Sequence, residues 1–375
     1  MAYFNHTAHL GGAEIALERL LRSLPNTEAV VILGDDGPLV ERARAVGARV
    51  QVLPLPPPAK LARDQVAGPA VLTATRVGIA YCRELRRVLR RGHFDVLHTT
   101  SLKAHVLGGL AGRLAGLPVI WGVTDRIAGD HLPVHLVRLL QALGRVVPAA
   151  IIANSQATAT TLEGWGCPIT VIPPPLAPGA LGAERRVPSD GRSVHVAMIG
   201  RLTPWKGQHL FLEAFAKAFP AGDERATIIG SAELGEDDYA HRLPDLAAQL
   251  GVAGRVRFAG FVEDIPAVLR EVDVLVHASV VPEPFGLVVI EGMAAGVAVV
   301  ASAPGGPAET IDDGRTGCLF PLGDVDALAQ ILRDLSGDPA LRDRLGAAGR
   351  VAAAAYEPER IAARMEAVYR TVSRR

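Results

Sequence analysis

Several things are scarce in this 375-residue chain. Only three cysteines occur, Cys82, Cys167 and Cys318, scattered and odd in number. They fit neither a disulfide framework nor zinc spacing, and read as small buried side chains in a reducing compartment. No apolar run reaches the length of about 18 residues that would suggest a transmembrane helix. The first residues, Met1-Ala2-Tyr3-Phe4-Asn5-His6, lack the charged region and apolar run of a secretion signal. A cytoplasmic protein is therefore expected, the alternative being peripheral contact at the inner membrane face. Net charge is also absent, Lys and Arg balancing Asp and Glu at 39 each. No large basic excess points to nucleic acid, and none is expected as a partner. No Gly-x-Gly-x-x-Gly follows a strand with an acid about 20 residues later, which disfavours a dinucleotide dehydrogenase.

The neutrality hides an asymmetry: residues 1–180 carry an excess of Lys and Arg, and residues 181–375 a matching excess of Asp and Glu. The length exceeds one ordinary core, so two domains are expected. Runs rich in Val and Ile alternate with longer helical patterns throughout. In the first half Ala29–Leu33, Arg49–Leu53, Asp95–Thr99, Pro118–Val123 and Ala150–Asn154 read as strands. In the second, Val194–Ile199, Ala226–Gly230, Val256–Ala259, Val274–Ala278 and Val297–Ala301 do so. Such alternation demands parallel sheets with helices on both faces, because parallel strands need crossover connections.

Pro173-Pro174-Pro175-Leu176-Ala177-Pro178-Gly179 and the polar stretch to about Ser193 form a linker, proline being unable to continue a ladder. Pro54–Pro58 is a smaller loop of that kind. The expected domains are 1–178 and 190–355, followed by an amphipathic helix in 356–375 that crosses back to the first. Doubly wound sheets bind ligands beyond the carboxyl ends of their strands, so chemistry is sought there.

At one such end lies Pro282-Glu283-Pro284-Phe285-Gly286-Leu287-Val288-Val289-Ile290-Glu291. The prolines keep Glu283 out of a helix that begins at about Phe285 or Gly286 and runs to Ala295. Its first N–H groups make a site for a diphosphate. One carboxylate precedes that site and the other follows it, as the sugar and ribose flank the diphosphate of a nucleotide sugar. Otherwise Glu291 pairs with a buried Arg and Glu283 is loop surface.

Gly200-Arg201-Leu202-Thr203-Pro204-Trp205-Lys206-Gly207 ends the first strand of the second half, and Arg201 and Lys206 can converge on one anion. The glycines of Gly305-Gly306-Pro307-Ala308-Glu309 permit close backbone approach to a ligand, or form an ordinary tight loop. In the first half, Gly11-Gly12-Ala13-Glu14 can present backbone N–H groups to the donor phosphates. His98 ends a strand, as a catalyst or as a hydrogen-bonded core residue. Asp324-Val325-Asp326 opens a helical pattern, so capping is preferred to metal binding. In the helical segment Val71–Arg91, Val77, Tyr81, Leu85, Val88 and Leu89 form one stripe and Arg83, Arg86, Arg87, Arg90 and Arg91 fill the rest. An anionic membrane surface met through residues 76–91, an acidic acceptor or plain solvation would each suit it.

Together these features resemble family 4 of the glycosyltransferases, retaining GT-B enzymes that use nucleotide sugars. The match is most specific in Gly200-Arg201…Lys206-Gly207, Phe258-Ala259-Gly260-Phe261, Glu283-Pro284-Phe285-Gly286…Glu291 and Gly305-Gly306-Pro307-x-Glu309. Gly11-Gly12-Ala13-Glu14, Asp95-Val96-Leu97-His98 and Ile151-Ile152-Ala153-Asn154-Ser155 carry it more loosely. The resemblance implies an α/β fold of two Rossmann-like, doubly wound parallel-sheet domains facing a central cleft. It implies that Gly11, Gly12, Gly200, Arg201 and Lys206 meet the diphosphate, that Glu291 holds the ribose and Glu283 the donor-sugar hydroxyls. Backbone at Phe261 and Val262 would border the base, and amides of Phe285, Gly286 and Leu287 would touch sugar and phosphate. No metal or other cofactor is expected.

The family often reads His-x-His where this chain has His98-Thr99-Thr100, so His98 or Thr100 is expected to line the reaction centre. The implied chemistry is retention at the anomeric carbon, a hexosyl or N-acetylhexosaminyl group passing to a hydroxyl of a lipid-linked glycan, polysaccharide or small natural product. Lys206→Ala is then expected to cost far more turnover than stability. A nucleotide-sugar epimerase of the same fold and a non-catalytic nucleotide-sugar binder are the alternatives.

Overall fold

The computed structural model describes residues 1–24, 27–57, 69–129, 132–182, 193–232 and 236–374. Pro58, and 183–192 of the polar stretch read as linker, lie outside the described residues. The chain forms two units, Met1–Pro175 with Pro358–Arg375, and Leu176–Glu357.

In the first unit the strands are β1 (Ala2–Asn5), β2 (Val30–Leu33), β3 (Arg49–Val52), β4 (Leu97–Thr99), β5 (Val119–Val123), β6 (Ala150–Ala153) and β7 (Ile169–Val171). All pairings are parallel, in the order β3-β2-β1-β4-β5-β6-β7. Successive side chains enter opposite cores: Ala2, Phe4 and Trp121 pack on one face, Tyr3, Val31 and Ile120 on the other. That two-sided burial is why these strands read as unbroken apolar runs rather than as alternating patterns. The helix Pro358–Ser373 joins the second face through Ile361, Ala362, Met365, Tyr369 and Val372, a stripe at helical spacing.

The second unit repeats the scheme with β8 (His195–Ile199), β9 (Arg225–Ile229), β10 (Val256–Gly260), β11 (Val274–His277), β12 (Ala298–Ala303) and β13 (Cys318–Pro321), again all parallel, in the order β10-β9-β8-β11-β12-β13. Val274, Val276, Ala298 and Val300 face one core, and Leu275, Val297, Val299 and Ala301 the other. Each such buried aliphatic side chain contributes about 1.5–3 kcal/mol, which makes β11 and β12 a rigid base for the loops after them. In each sheet the order in which strands are added reverses between the first and fourth strands, β1 and β4 or β8 and β11. A crevice opens there beyond the strand ends.

Two details sharpen the sequence reading. Asp324 caps the helix Val325–Gly337 by accepting from the Ala327 N–H at 2.9 Å. In the helix Pro69–Arg91, Tyr81, Leu85 and Leu89 are buried in the core, so the middle of its apolar stripe is not free for lipid. Arg86 donates from Nε to the Leu114 carbonyl at 2.8 Å, while Arg83, Arg87, Arg90 and Arg91 stay exposed. Among the described residues no helix is long and apolar enough to cross a membrane.

Candidate functional site

The loops after β8 and β11 meet at the switch point of the second unit. Gly207 makes the meeting possible: its φ is 78°, and a Cβ there would overlap the Ala278 carbonyl oxygen. The Val280 N–H donates to the Trp205 carbonyl at 2.9 Å and ties the loops together. Lys206 is thereby delivered to Glu283, its Nζ donating to Oε2 at 2.6 Å. Two residues separated by 76 others in sequence form one charged centre.

Glu283 is only 8% exposed. Its Oε2 also accepts from Ser279 Oγ at 2.9 Å and lies 3.2 Å from His277 Nε2. Burial alone pushes the carboxyl up, but the Lys206 ammonium and the His277 contact outweigh it and hold the group below the ordinary carboxylate range. It is an anion across the physiological range. The backbone around it is braced by the loop after β12: the Gly306 N–H donates to the Glu283 carbonyl at 2.8 Å. At Gly305, φ is 140° and a Cβ would stand 2.8 Å from both the Glu283 nitrogen and oxygen. The close approach those glycines permit is to the chain at Glu283, as in the tight-loop alternative for them.

The helix beyond begins at Leu287 and runs to Ala294, its N-cap Gly286 having φ 85° and no side-chain cap. The start falls one or two residues later than expected because Gly286 adopts the left-handed conformation, which ends the approach segment. Its first N–H groups remain available to an anion. Phe285 is 6% exposed and packs edge-on against Tyr356, so only its backbone can meet a ligand. Glu291 and Arg201 are each partly buried, and Gln208, fully buried, donates from Nε2 to the Arg201 carbonyl at 2.9 Å. Tyr239 Oη donates in turn to Gln208 Oε1 at 3.2 Å, which fixes the Gly200–Lys206 loop from beneath. Phe261, by contrast, is 63% exposed after β10, and Val262 is half-buried.

The remaining candidates lie in the first unit. Gly11 is the N-cap of the helix Gly12–Arg22, and its N–H donates to Glu14 Oε2 at 3.1 Å. Asn5, at the end of β1, donates from Nδ2 to Glu14 Oε1 at 2.8 Å. His98 is 3% exposed, with Nδ1 2.8 Å from Tyr369 Oη and its ring tilted over Tyr3. Burial lowers its pKa to about 3, so it is a neutral core residue. This corrects the expectation that His98 faces a reaction centre. Thr100, one residue past β4, is 7% exposed and its buried Oγ1 has no hydrogen-bond partner among the described residues. Sequence reasoning missed His277, Ser279 and Gln208. The signal available was a His and a Ser closing the run Val274–Ser279, six and four residues before Glu283.

A doubly wound sheet with a cation and an acid at its switch point, beside an uncapped helix N-terminus, is an arrangement suited to a nucleotide phosphate. Two such parallel-sheet units in one chain define the GT-B fold. Residues 10–178 match the family described as "Glycosyltransferase Family 4", and residues 184–352 match "Glycosyl transferases group 1". A phosphatidyl-myo-inositol mannosyltransferase of Mycobacterium tuberculosis is 30% identical over 312 residues, 80% of this chain and 79% of that protein. A D-inositol 3-phosphate glycosyltransferase of Streptomyces avermitilis is 31% identical over 291 residues, 69% of this chain but 61% of that protein. The crystal structure of Anabaena HepE in complex with UDP-glucose superposes with a TM-score of 0.86 at 25% identity, covering 99% of both chains. The chain belongs to the family 4 glycosyltransferases.

Proposed function

We propose that this chain transfers a sugar, with retention at the anomeric carbon, from a UDP- or GDP-sugar to a hydroxyl of an acceptor bearing an anionic group. The observation that carries the reading is the contact of Lys206 Nζ with Glu283 Oε2 at 2.6 Å, at the switch point of the second sheet. Lys206, Arg201 and the N-terminus of the helix Leu287–Ala294 stabilise the negative charge that develops on the departing diphosphate. Glu283, kept ionised, accepts hydroxyls of the donor sugar, and Glu291 those of the ribose. Thr100 is the first-unit residue proposed for the reaction centre, and Gly12, rather than Gly11 whose N–H is held by Glu14 Oε2, the one proposed for the phosphates.

In the transfer, the acceptor oxygen bonds to the anomeric carbon as the bond from that carbon to the diphosphate oxygen breaks. The acceptor proton passes to that diphosphate oxygen, so no protein base and no metal is invoked. A UDP donor has the support of the UDP-glucose in the HepE structure. An anionic acceptor has the support of relatives whose names carry inositol phosphate or phosphatidylinositol, and of the exposed arginines in the helix Pro69–Arg91. The test is the anomeric configuration of the glycoside formed, read from its anomeric proton by NMR, with UDP-glucose and GDP-mannose as donors and inositol 3-phosphate as acceptor. Product with the donor's configuration supports the reading, and inverted product overturns it.

A further inference from the structure

We infer that His277 is a positioning residue for the transfer, clamping Glu283 so that one carboxylate oxygen is filled by the protein and the other is left for the donor sugar. The inference rests on the reading of Glu283 as the group that holds donor-sugar hydroxyls.

Three donors converge on Oε2: Lys206 Nζ at 2.6 Å, Ser279 Oγ at 2.9 Å and His277 Nε2 at 3.2 Å. Oε1 has no hydrogen-bond partner among the described residues. A carboxylate accepts about two hydrogen bonds at each oxygen, so Oε2 is saturated and all the unused capacity lies on Oε1. The rotation that would exchange the two oxygens is opposed by every one of the three donors.

The surroundings settle which proton His277 carries. Its ring is 3% exposed, and Nδ1 is buried with no partner. A proton on Nδ1 would leave a buried N–H unmatched and turn the Nε2 lone pair toward the carboxylate, two costs at once. With the proton on Nε2, that N–H points between Glu283 Oε2 and Ser279 Oγ, the latter 3.3 Å away. The Ser279 hydroxyl is then free to give its own proton to Oε2. Ser302 Oγ donates to the Ser279 carbonyl at 2.8 Å and anchors the loop from β12. His277 closes β11, all of whose side chains are buried, so the clamp stands on one of the most rigid strands of the unit. A general acid or base would need access to the reacting atoms. Among the described residues this ring's hydrogen-bond contacts are with Glu283 and Ser279, which makes it an orienting group.

The test compares His277→Leu, His277→Gln, Ser279→Ala and Glu283→Gln by calorimetric titration with UDP, UDP-glucose, GDP and GDP-mannose. The quantity read is the sugar increment, the ratio of nucleoside diphosphate Kd to nucleotide-sugar Kd, in samples verified as folded by thermal melting. Loss of a hydrogen bond to a charged group predicts an increment reduced about tenfold or more in His277→Leu, with Kd for the nucleoside diphosphate unchanged. Gln places an amide N–H near the former Nε2, so His277→Gln retains most of the increment. Ser279→Ala loses part of it and carries the same test should His277→Leu fail to fold. A wild-type increment in His277→Leu or, where that variant does not fold, in Ser279→Ala overturns the clamp while leaving the role of Glu283 intact. A wild-type increment in Glu283→Gln overturns the role of Glu283 itself, and the clamp with it.

Discussion

Removing Lys206 costs stability as well as activity, and the size of that cost follows from the burial of its partner. The side chains of Lys206 and Glu283 are 18% and 10% exposed. In Lys206→Met the carboxylate stays buried with only Ser279 and His277 as donors. Breaking a buried pair from one side costs about 3–5 kcal/mol, and the two surviving donors argue for the low end, about 3 kcal/mol. In a unit of this size that lowers the melting temperature by about 6–12 °C. Glu283→Gln leaves Lys206, which can turn to water, and costs about 1 kcal/mol. Lys206→Met with Glu283→Gln removes both charges, so the double variant is predicted to be more stable than Lys206→Met alone, with a coupling of about 2 kcal/mol. All three variants lose transfer activity.

The pH dependence has a definite sign. Without Lys206, burial raises the Glu283 carboxyl above its unfolded value, so the deficit is full at neutral pH and shrinks as pH falls toward the unfolded carboxyl range. Calorimetric melts and urea titrations of the four proteins at pH 7.5 and 5 give these values. Additive losses, or a Lys206→Met protein melting within about 1 °C of wild type, would refute the argument. A measurable loss of stability thereby accompanies the loss of turnover expected on removing Lys206.

Three further outcomes are specific. Gly207→Ala combines a left-handed backbone with an overlap on the Ala278 carbonyl, and is predicted to cost about 2 kcal/mol or more and abolish transfer, whereas Gly254→Ala, with open space around it, leaves both unchanged by urea titration and assay. Burial holds His98 and His105 near pKa 3, below the unfolded value of about 6.5. Their contribution is therefore full above about pH 6.5 and falls by about 2 kcal/mol per ring by pH 5, so a first-unit melting temperature flat from pH 7.5 to 5 would contradict it. Thr100→Val removes a buried hydroxyl that has no partner, and is predicted to leave stability unchanged or raised while transfer falls. Undiminished transfer would take Thr100 out of the reaction centre.

The parallel sheets were legible because β4, β5, β8, β11 and β12 are buried on both faces, and double burial forces unbroken apolar runs. Two edge strands, β7 and β13, were not. Ile169–Val171 has three residues, one of them Thr, and Cys318–Pro321 ends in a proline, so neither makes a run that stands out from loop. The charged ends of the site stood out as well, because Lys206 and Glu283 lie beside glycines and prolines at strand ends. Their partners were hidden for a physical reason. His277 and Ser279 sit at the end of an apolar strand and do their work through geometry, at 3.2 and 2.9 Å from a carboxylate whose direction no spacing reveals. Gly305 shows the same limit from the other side: a glycine that admits another backbone looks, in sequence, like one that admits a ligand.

The central claim is that the second unit holds a nucleotide diphosphate between Lys206 and the helix Leu287–Ala294, and calorimetric titration of wild type and Lys206→Met with UDP, GDP, ADP and TDP tests it directly. The prediction is saturable binding of at least one of the four to wild type, weakened at least tenfold in Lys206→Met at a temperature where that variant is folded, as loss of a charged partner requires. Equal affinity in both proteins, or binding of none of the four to wild type, would contradict it.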